Sequence, residues 1–178
     1  CGVSLPPLEA EEVDESPVTL FFTKEGYFKK ITPLSLRMGG EHKLKEGDVI
    51  ILDVGCKKDD YCADMTRAFF FRKVADPKHK EIYDTVCAAV AAAEAICKPG
   101  VPLCEIDGAA RDVITKAGYG QYFQRRTGHF IGLEVHDFGD VSSANQNLTQ
   151  PGNIFSIEPG ITIPGEFGVY VEDLVMIT

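Results

Sequence analysis

The chain has 178 residues, 44% of them hydrophobic and 25% charged, which allows one substantial core and is not the composition of a disordered segment. Twenty-seven acidic residues against eighteen basic give a net charge of −9, which disfavours binding of the whole chain to phosphate backbones. No apolar run approaches the roughly 20 residues of a membrane-spanning helix, and the N-terminus shows no signal-peptide pattern.

These features lead to an expected cytoplasmic location with no membrane partner, nucleic acid disfavoured and a homo-oligomer left open. The six cysteines (Cys1, Cys56, Cys62, Cys87, Cys97 and Cys104) form no CxxC pair. Several fall in apolar stretches, so they are expected to be reduced and buried.

Residues 1–17, with PPLEAEEVDESP, combine prolines and acids and read as an extended, solvated lead-in. Val18 to Ile31 places two β-rich runs around Lys24-Glu25-Gly26, a hairpin signal. Leu34 to Asp48 reads as a loop. Val49 to Val54 and Tyr61 to Phe71 are strand-like and joined by the polar CKKDD turn, which predicts a second hairpin. Asp76-Pro77 is a helix start, and Ile82, Val86, Ala89, Val90, Ala93 and Ile96 recur at helical spacing up to Pro99-Gly100. A second helix is predicted from Cys104 to Ala117, stopped by Gly118.

From Tyr119 onward the chain reads as strands and turns. Ile154 to Ile163 and Gly168 to Ile177 are hairpin-like stretches around Pro159-Gly160 and Pro164-Gly165. The order implies an α+β domain of mostly antiparallel strands with helices on one face.

Five residues along this framework can hold metal: Asp53, Asp64, His129, Glu158 and Glu172. Each acid lies in or beside an apolar strand, and burying several carboxylates costs several kcal/mol apiece without compensation. Two divalent cations about 3.5–4 Å apart supply that compensation and can activate a shared water near neutral pH. Four carboxylates and an imidazole suit hard or borderline ions, so Mn²⁺, Co²⁺, Fe²⁺ and Zn²⁺ all fit and softness alone does not choose among them; Mn²⁺ or Co²⁺ is the expectation adopted. His42, in a polar loop, and His79, in a charged first helical turn, read as ordinary surface histidines. His129 and His136 flank FIGLEV and read as parts of one strand-like segment.

The motifs DVGCKKDDYCADMTRAF, GHFIGLEVHDFGD, FSIEPGI and GVYVEDLVMIT, spread over residues 48–178, resemble the pita-bread metallopeptidases of the Xaa-Pro aminopeptidase and Xaa-Pro dipeptidase (prolidase) branch. The resemblance implies a creatinase/aminopeptidase-like curved antiparallel sheet with helices on its outer face, its N-terminal part missing or replaced by a β-hairpin. It further implies that Asp53 chelates one metal, that Asp64 and Glu172 bridge both, and that His129 and Glu158 complete the pair. His136 would contact the substrate carbonyl, Glu158 would also act as general base, and Thr66 and Arg67 would support Asp64.

The implied reaction is hydrolysis of the bond between an N-terminal residue and proline in short proline-containing peptides, with a metal-bridging water as nucleophile. The alternative is a catalytically impaired metal- or peptide-binding fragment. Tyr170 stands where the family usually has Arg, and Thr162 where it commonly has Tyr. Residues 1–48 resemble instead a fragment of the A subunit of bacterial type IIA topoisomerases. The expected organisation is a lead-in at 1–17, a hairpin segment and loop at 18–47, and a partial catalytic domain at 48–178.

Overall fold

The computed structural model describes residues 19–22, 28–31 and 45–178. The chain divides into two compact units, Cys1–Lys43 and Leu44–Thr178. In the first, β1 (Thr19–Phe22) pairs antiparallel with β2 (Phe28–Ile31), Thr19 opposite Ile31, which is the hairpin its two β-rich runs predict. The Lys24-Glu25-Gly26 turn, the acidic lead-in, His42, Cys1 and most of the topoisomerase-like stretch lie outside the described residues.

The second unit begins with β3 (Val49–Lys58) and β4 (Tyr61–Phe70), an antiparallel ladder ten residues long on each arm. Only Asp59 (φ 49) and Asp60 (φ 67) make the turn; two successive left-handed residues match the right-handed twist of the strands, and Asp tolerates that conformation. Cys56, Lys57 and Lys58 therefore continue the strand rather than the turn. Their half of β3 is exposed, so polar side chains cost nothing there.

Helix α1 (Pro77–Glu94) starts as its sequence predicts. Asp76 Oδ1 accepts the Lys78 N–H at 2.8 Å, and Pro77 occupies the first turn, where its missing N–H is harmless. Ile82, Val86, Ala89, Val90 and Ala93 form its buried stripe. Helix α2 (Leu103–Lys116) buries Leu103, Ile106, Ala110 and Ile114 and ends before Gly118 at φ 88. A 3₁₀ turn, Gly120–Tyr122, follows.

The remaining strands are β5 (Gly128–His129), β6 (Asp140–Val141), β7 (Ile154–Ile157), β8 (Gly160–Ile163), β9 (Phe167–Tyr170) and β10 (Asp173–Met176). Their pairing corrects two expectations. Pro159-Gly160 does not close a hairpin: β7 pairs with β10, and the β8–β9 hairpin is nested between them, turning at Pro164-Gly165. Nor do His129 and His136 share a strand, because Asp137 N–H returns to Phe130 O (2.9 Å) and Gly132 N–H to Glu134 O (3.1 Å), looping the chain.

The two helices pack on each other, and α1 also lies against β7, β8 and β9. Ile82, Val86, Ile106, Ile114, Phe155, Ile157, Ile161 and Val169 form one core of mixed helix and antiparallel sheet. Cys56, Cys62, Cys87, Cys97 and Cys104 are free thiols. The expectation of burial fails most clearly for Cys56, which lies on the exposed half of β3, and Cys62, Cys87, Cys97 and Cys104 are only partly buried. No helix among the described residues is long and apolar enough to cross a membrane.

Candidate metal centre

Cross-strand partners share a face of a β-ladder, and residues two apart along a strand return to it. The register pairs Asp53 with Thr66 and Gly55 with Asp64, so Asp53, Asp64 and Thr66 point to one side of the β3–β4 hairpin. The two acids are diagonal neighbours there. Glu158 directly follows β7, and Glu172 lies between β9 and β10. Extending the Asp173↔Ile157 pairing by one residue sets Glu172 opposite Glu158.

Two backbone crossings bring these elements together. Thr66 bridges to Glu172, with Glu172 N–H donating to Thr66 O at 3.1 Å. Phe130 bridges to Phe155, which lays β5 along β7. The second crossing depends on Gly128, where a Cβ would come within 1.8 Å of the Ser156 carbonyl oxygen. Only glycine lets His129 reach this depth.

The result is a convergent cluster. His129 Nε2 lies 3.4 Å from Glu158 Oε1, 3.8 Å from Glu172 Oε1 and 4.0 Å from Asp64 Oδ2. One donor atom each from Asp64, His129 and Glu172 falls within a 4.8 Å sphere of mutual distances. His129, Glu158 and Glu172 are buried and Asp64 is partly so, but Asp53 is exposed, against the expectation that every acid is buried. The reason is its place on the outward half of β3. The Asp53 Oδ2 atom instead accepts a hydrogen bond from Tyr170 OH at 3.0 Å. Burial and that hydrogen bond push the Tyr170 phenol up to about 12, so it stays a donor.

The donor chemistry fits a cation. His129 Nδ1 faces Phe130 O at 3.1 Å, and a carbonyl can only accept, so a ring proton belongs on Nδ1, and in the neutral ring the Nε2 lone pair faces the carboxylates. Thr66 OH donates to Glu172 Oε2 at 2.9 Å, whereas the buried Glu172 Oε1 has no hydrogen-bond partner among the described residues. A lone pair facing the carboxylate oxygens of Glu158, Glu172 and Asp64, that of Glu172 unpaired, is repulsive unless something positive joins them. Burial, with the neighbouring charges of Asp64, Glu158 and Asp53, pushes Glu172 up to about 7. Asp64 is raised by burial and by Asp53.

Thr66 and Arg67 reach Glu172 rather than Asp64. Arg67 Nη1 donates to the carbonyls of Thr66 (2.9 Å) and Glu172 (2.7 Å), and its Nη2 pairs with Asp173. His136 is exposed in its loop, with its ring centroid 4.3 Å from that of His129.

Sequence reading missed Ser156 and Arg125. The Ser156 hydroxyl accepts the His129 N–H at 3.0 Å and donates to Glu158 Oε1 at 3.3 Å. Its signal was present: a lone polar residue in an apolar strand, two before Glu158 and so on the same face. Arg125 Nη2 lies 3.3 Å from Glu158 Oε2, and nothing local distinguishes it from Arg126.

Residues 29–178 match the profile of metallopeptidase family M24, which reaches upstream of residue 48, where the pita-bread resemblance begins. An uncharacterized peptidase of Staphylococcus saprophyticus is 45% identical over 139 residues, covering 78% of this chain and 39% of that protein. The Xaa-Pro dipeptidase from Bacillus anthracis superposes with a TM-score of 0.74 at 38% identity, over 78% of this chain and 39% of its own. The X-Pro aminopeptidase from Thermotoga maritima does so at 0.72 and 36%, over 75% and 38%. The chain thus spans about two fifths of the length of these relatives.

Proposed function

The chain belongs to metallopeptidase family M24, and from that premise we propose that it carries the metal-holding part of an enzyme that hydrolyses the peptide bond between an N-terminal residue and proline. The observation that carries the reading is the buried, unpartnered Glu172 Oε1 beside the His129 Nε2 lone pair and the carboxylates of Glu158 and Asp64. In this reading Asp53, Asp64, His129, Glu158 and Glu172 hold two divalent ions, Mn²⁺ or Co²⁺ before Zn²⁺ or Fe²⁺, all of which suit the oxygen-rich donor set. Residues 48–178 form the catalytic part.

When bound, such ions polarise the scissile carbonyl and lower the pKa of water. The protein's own groups do the rest. Glu158 takes the proton of the attacking water and returns it to the departing proline nitrogen. The exposed His136 ring donates to the carbonyl oxygen as negative charge develops. Thr66 fixes one oxygen of Glu172 and so aims the other. Ser156 ties the depth of His129 to the orientation of Glu158.

The test is metal content by elemental analysis alongside turnover of alanyl-proline. We expect two metals per chain and turnover that a chelator abolishes and that Asp64→Ala lacks, with circular dichroism confirming that the variant folds. Undiminished turnover in a folded Asp64→Ala protein would sink the assignment. Two bound metals without turnover on any proline dipeptide would establish the impaired binding fragment instead.

A further inference from the structure

We propose that Asp107, an acid on α2 outside the cluster, is a positioning residue that fixes, through Thr127, where His129 and Glu158 stand. This rests on the metal-holding role proposed above for those two side chains and adds the group that aims them.

Among the described residues Asp107 is the one buried acid outside the cluster. Both of its oxygens are bonded: Oδ2 accepts Arg111 Nε–H at 2.8 Å, and Oδ1 accepts Arg111 Nη2–H at 2.9 Å and the Thr127 OH at 2.7 Å. A buried ion pair adds little stability over apolar side chains of the same volume, so cohesion alone does not account for this one. What a two-pronged guanidinium–carboxylate pair adds is direction.

That direction is spent on the segment leading into β5. Arg111 Nη1 donates to Phe123 O and its Nη2 to Arg125 O, each at 3.0 Å. The buried Thr127 is then held on three sides: its hydroxyl by Asp107, its N–H by Val141 O of β6 at 2.9 Å, and its carbonyl by the Glu158 N–H at 2.6 Å. One residue thus ties α2 and β6 to the backbone of Glu158, and His129 follows it two positions later.

β5 needs such an anchor. It has two residues, paired with β6 at Gly128↔Val141 and His129↔Asp140, a ladder shorter than ordinary strands use. Its tolerance is also narrow, because a Cβ at Gly128 would lie 1.8 Å from Ser156 O and His129 Nε2 stands 3.4 Å from Glu158 Oε1. Ligand atoms must keep their metal distances to within about 0.2 Å, so loosening Thr127 is felt at both ligands together.

The experiment compares the parent with Thr127→Val, Thr127→Ser, Asp107→Asn and Ile114→Val. Thr127→Val keeps the shape and the Asp107–Arg111 pair and removes only the hydroxyl, whereas Ile114→Val loosens the buried face of the same helix. Mn²⁺ affinity is read by calorimetric titration below the unfolding transition, and exchange of the Glu158 amide by NMR in chelator. Thr127→Val and Asp107→Asn are expected to bind Mn²⁺ about tenfold or more weakly, the scale for groups that orient ligands, and to exchange the Glu158 N–H faster than the parent does. Thr127→Ser is expected to restore both readings, and Ile114→Val to leave both at parent values. Parent-like Mn²⁺ affinity in folded Thr127→Val, or an equal loss in Ile114→Val, overturns the proposal. Should Asp107→Asn fail to fold, Thr127→Val decides, because its ion pair is intact. Amide exchange needs no metal and so separates the readings: faster exchange in Thr127→Val when the parent binds no Mn²⁺ defeats the metal-holding reading alone, and Mn²⁺ binding that Thr127→Val leaves unchanged defeats the role of Asp107 alone.

Discussion

Thr66 shows how much of the centre rests on single hydroxyl groups. Thr66→Val keeps the shape but removes the donor to Glu172 Oε2, leaving both oxygens of a buried carboxylate unsatisfied. Denaturant unfolding of the metal-free variant should show a loss of about 1–3 kcal/mol, and its metal affinity should fall roughly 10- to 100-fold. Glu172 also sets a pH dependence. Its folded-state pKa is raised from 4.5 to about 7, with burial the largest cause, so between those values the folded chain binds more protons than the unfolded one. Metal-free stability should therefore fall as pH rises through that window, and Asp64, raised in the same direction, adds to the trend. Melts in chelator at pH 5 and pH 8 check this, and Glu172→Gln should flatten the slope.

At the scale of elements, the tightest constraint is the crossing of β5 over β7. Gly128→Ala forces a methyl to within 1.8 Å of the Ser156 carbonyl oxygen. The strands must part, and the variant should lose metal binding and several kcal/mol of stability, read by calorimetric titration and thermal melts. By contrast, Asp76→Ala removes only the α1 cap and should cost about 1 kcal/mol with metal affinity unchanged.

These two cases also mark what the sequence reveals. Asp76-Pro77 names its own helix end, and the apolar periodicity of α1 and α2 names their buried faces, because both signals are local. The nesting of β8–β9 inside β7–β10 was hidden, since a period-two pattern says which side of a strand is buried but not which strand is its partner. The same limit affects the site. The acids could be picked out beside their strands, whereas Arg125 and the exposure of Asp53 depend on how distant segments cross.

For the molecule as a whole, the proposed metal binding couples to folding. A ligand that binds only the folded state at 100 times its dissociation constant adds about 2.7 kcal/mol, which for a unit of this size raises the melting temperature by about 10 °C. Thermal melts over a Mn²⁺ series should show this rise, and excess chelator should reverse it.

The unpartnered oxygen of Glu172 also bears on how such a chain evolves. Its carboxylate weakens the protein whenever nothing positive meets it, so a lineage that gave up its ions would gain robustness by exchanging this one acid for an amide or an aliphatic residue. Drift alone would favour that exchange, because random change preserves no residue that only costs stability. An intact Glu172 is thus a record of use written in thermodynamic terms. Among descendants of this chain, its replacement would be an early sign that the chemistry had been abandoned.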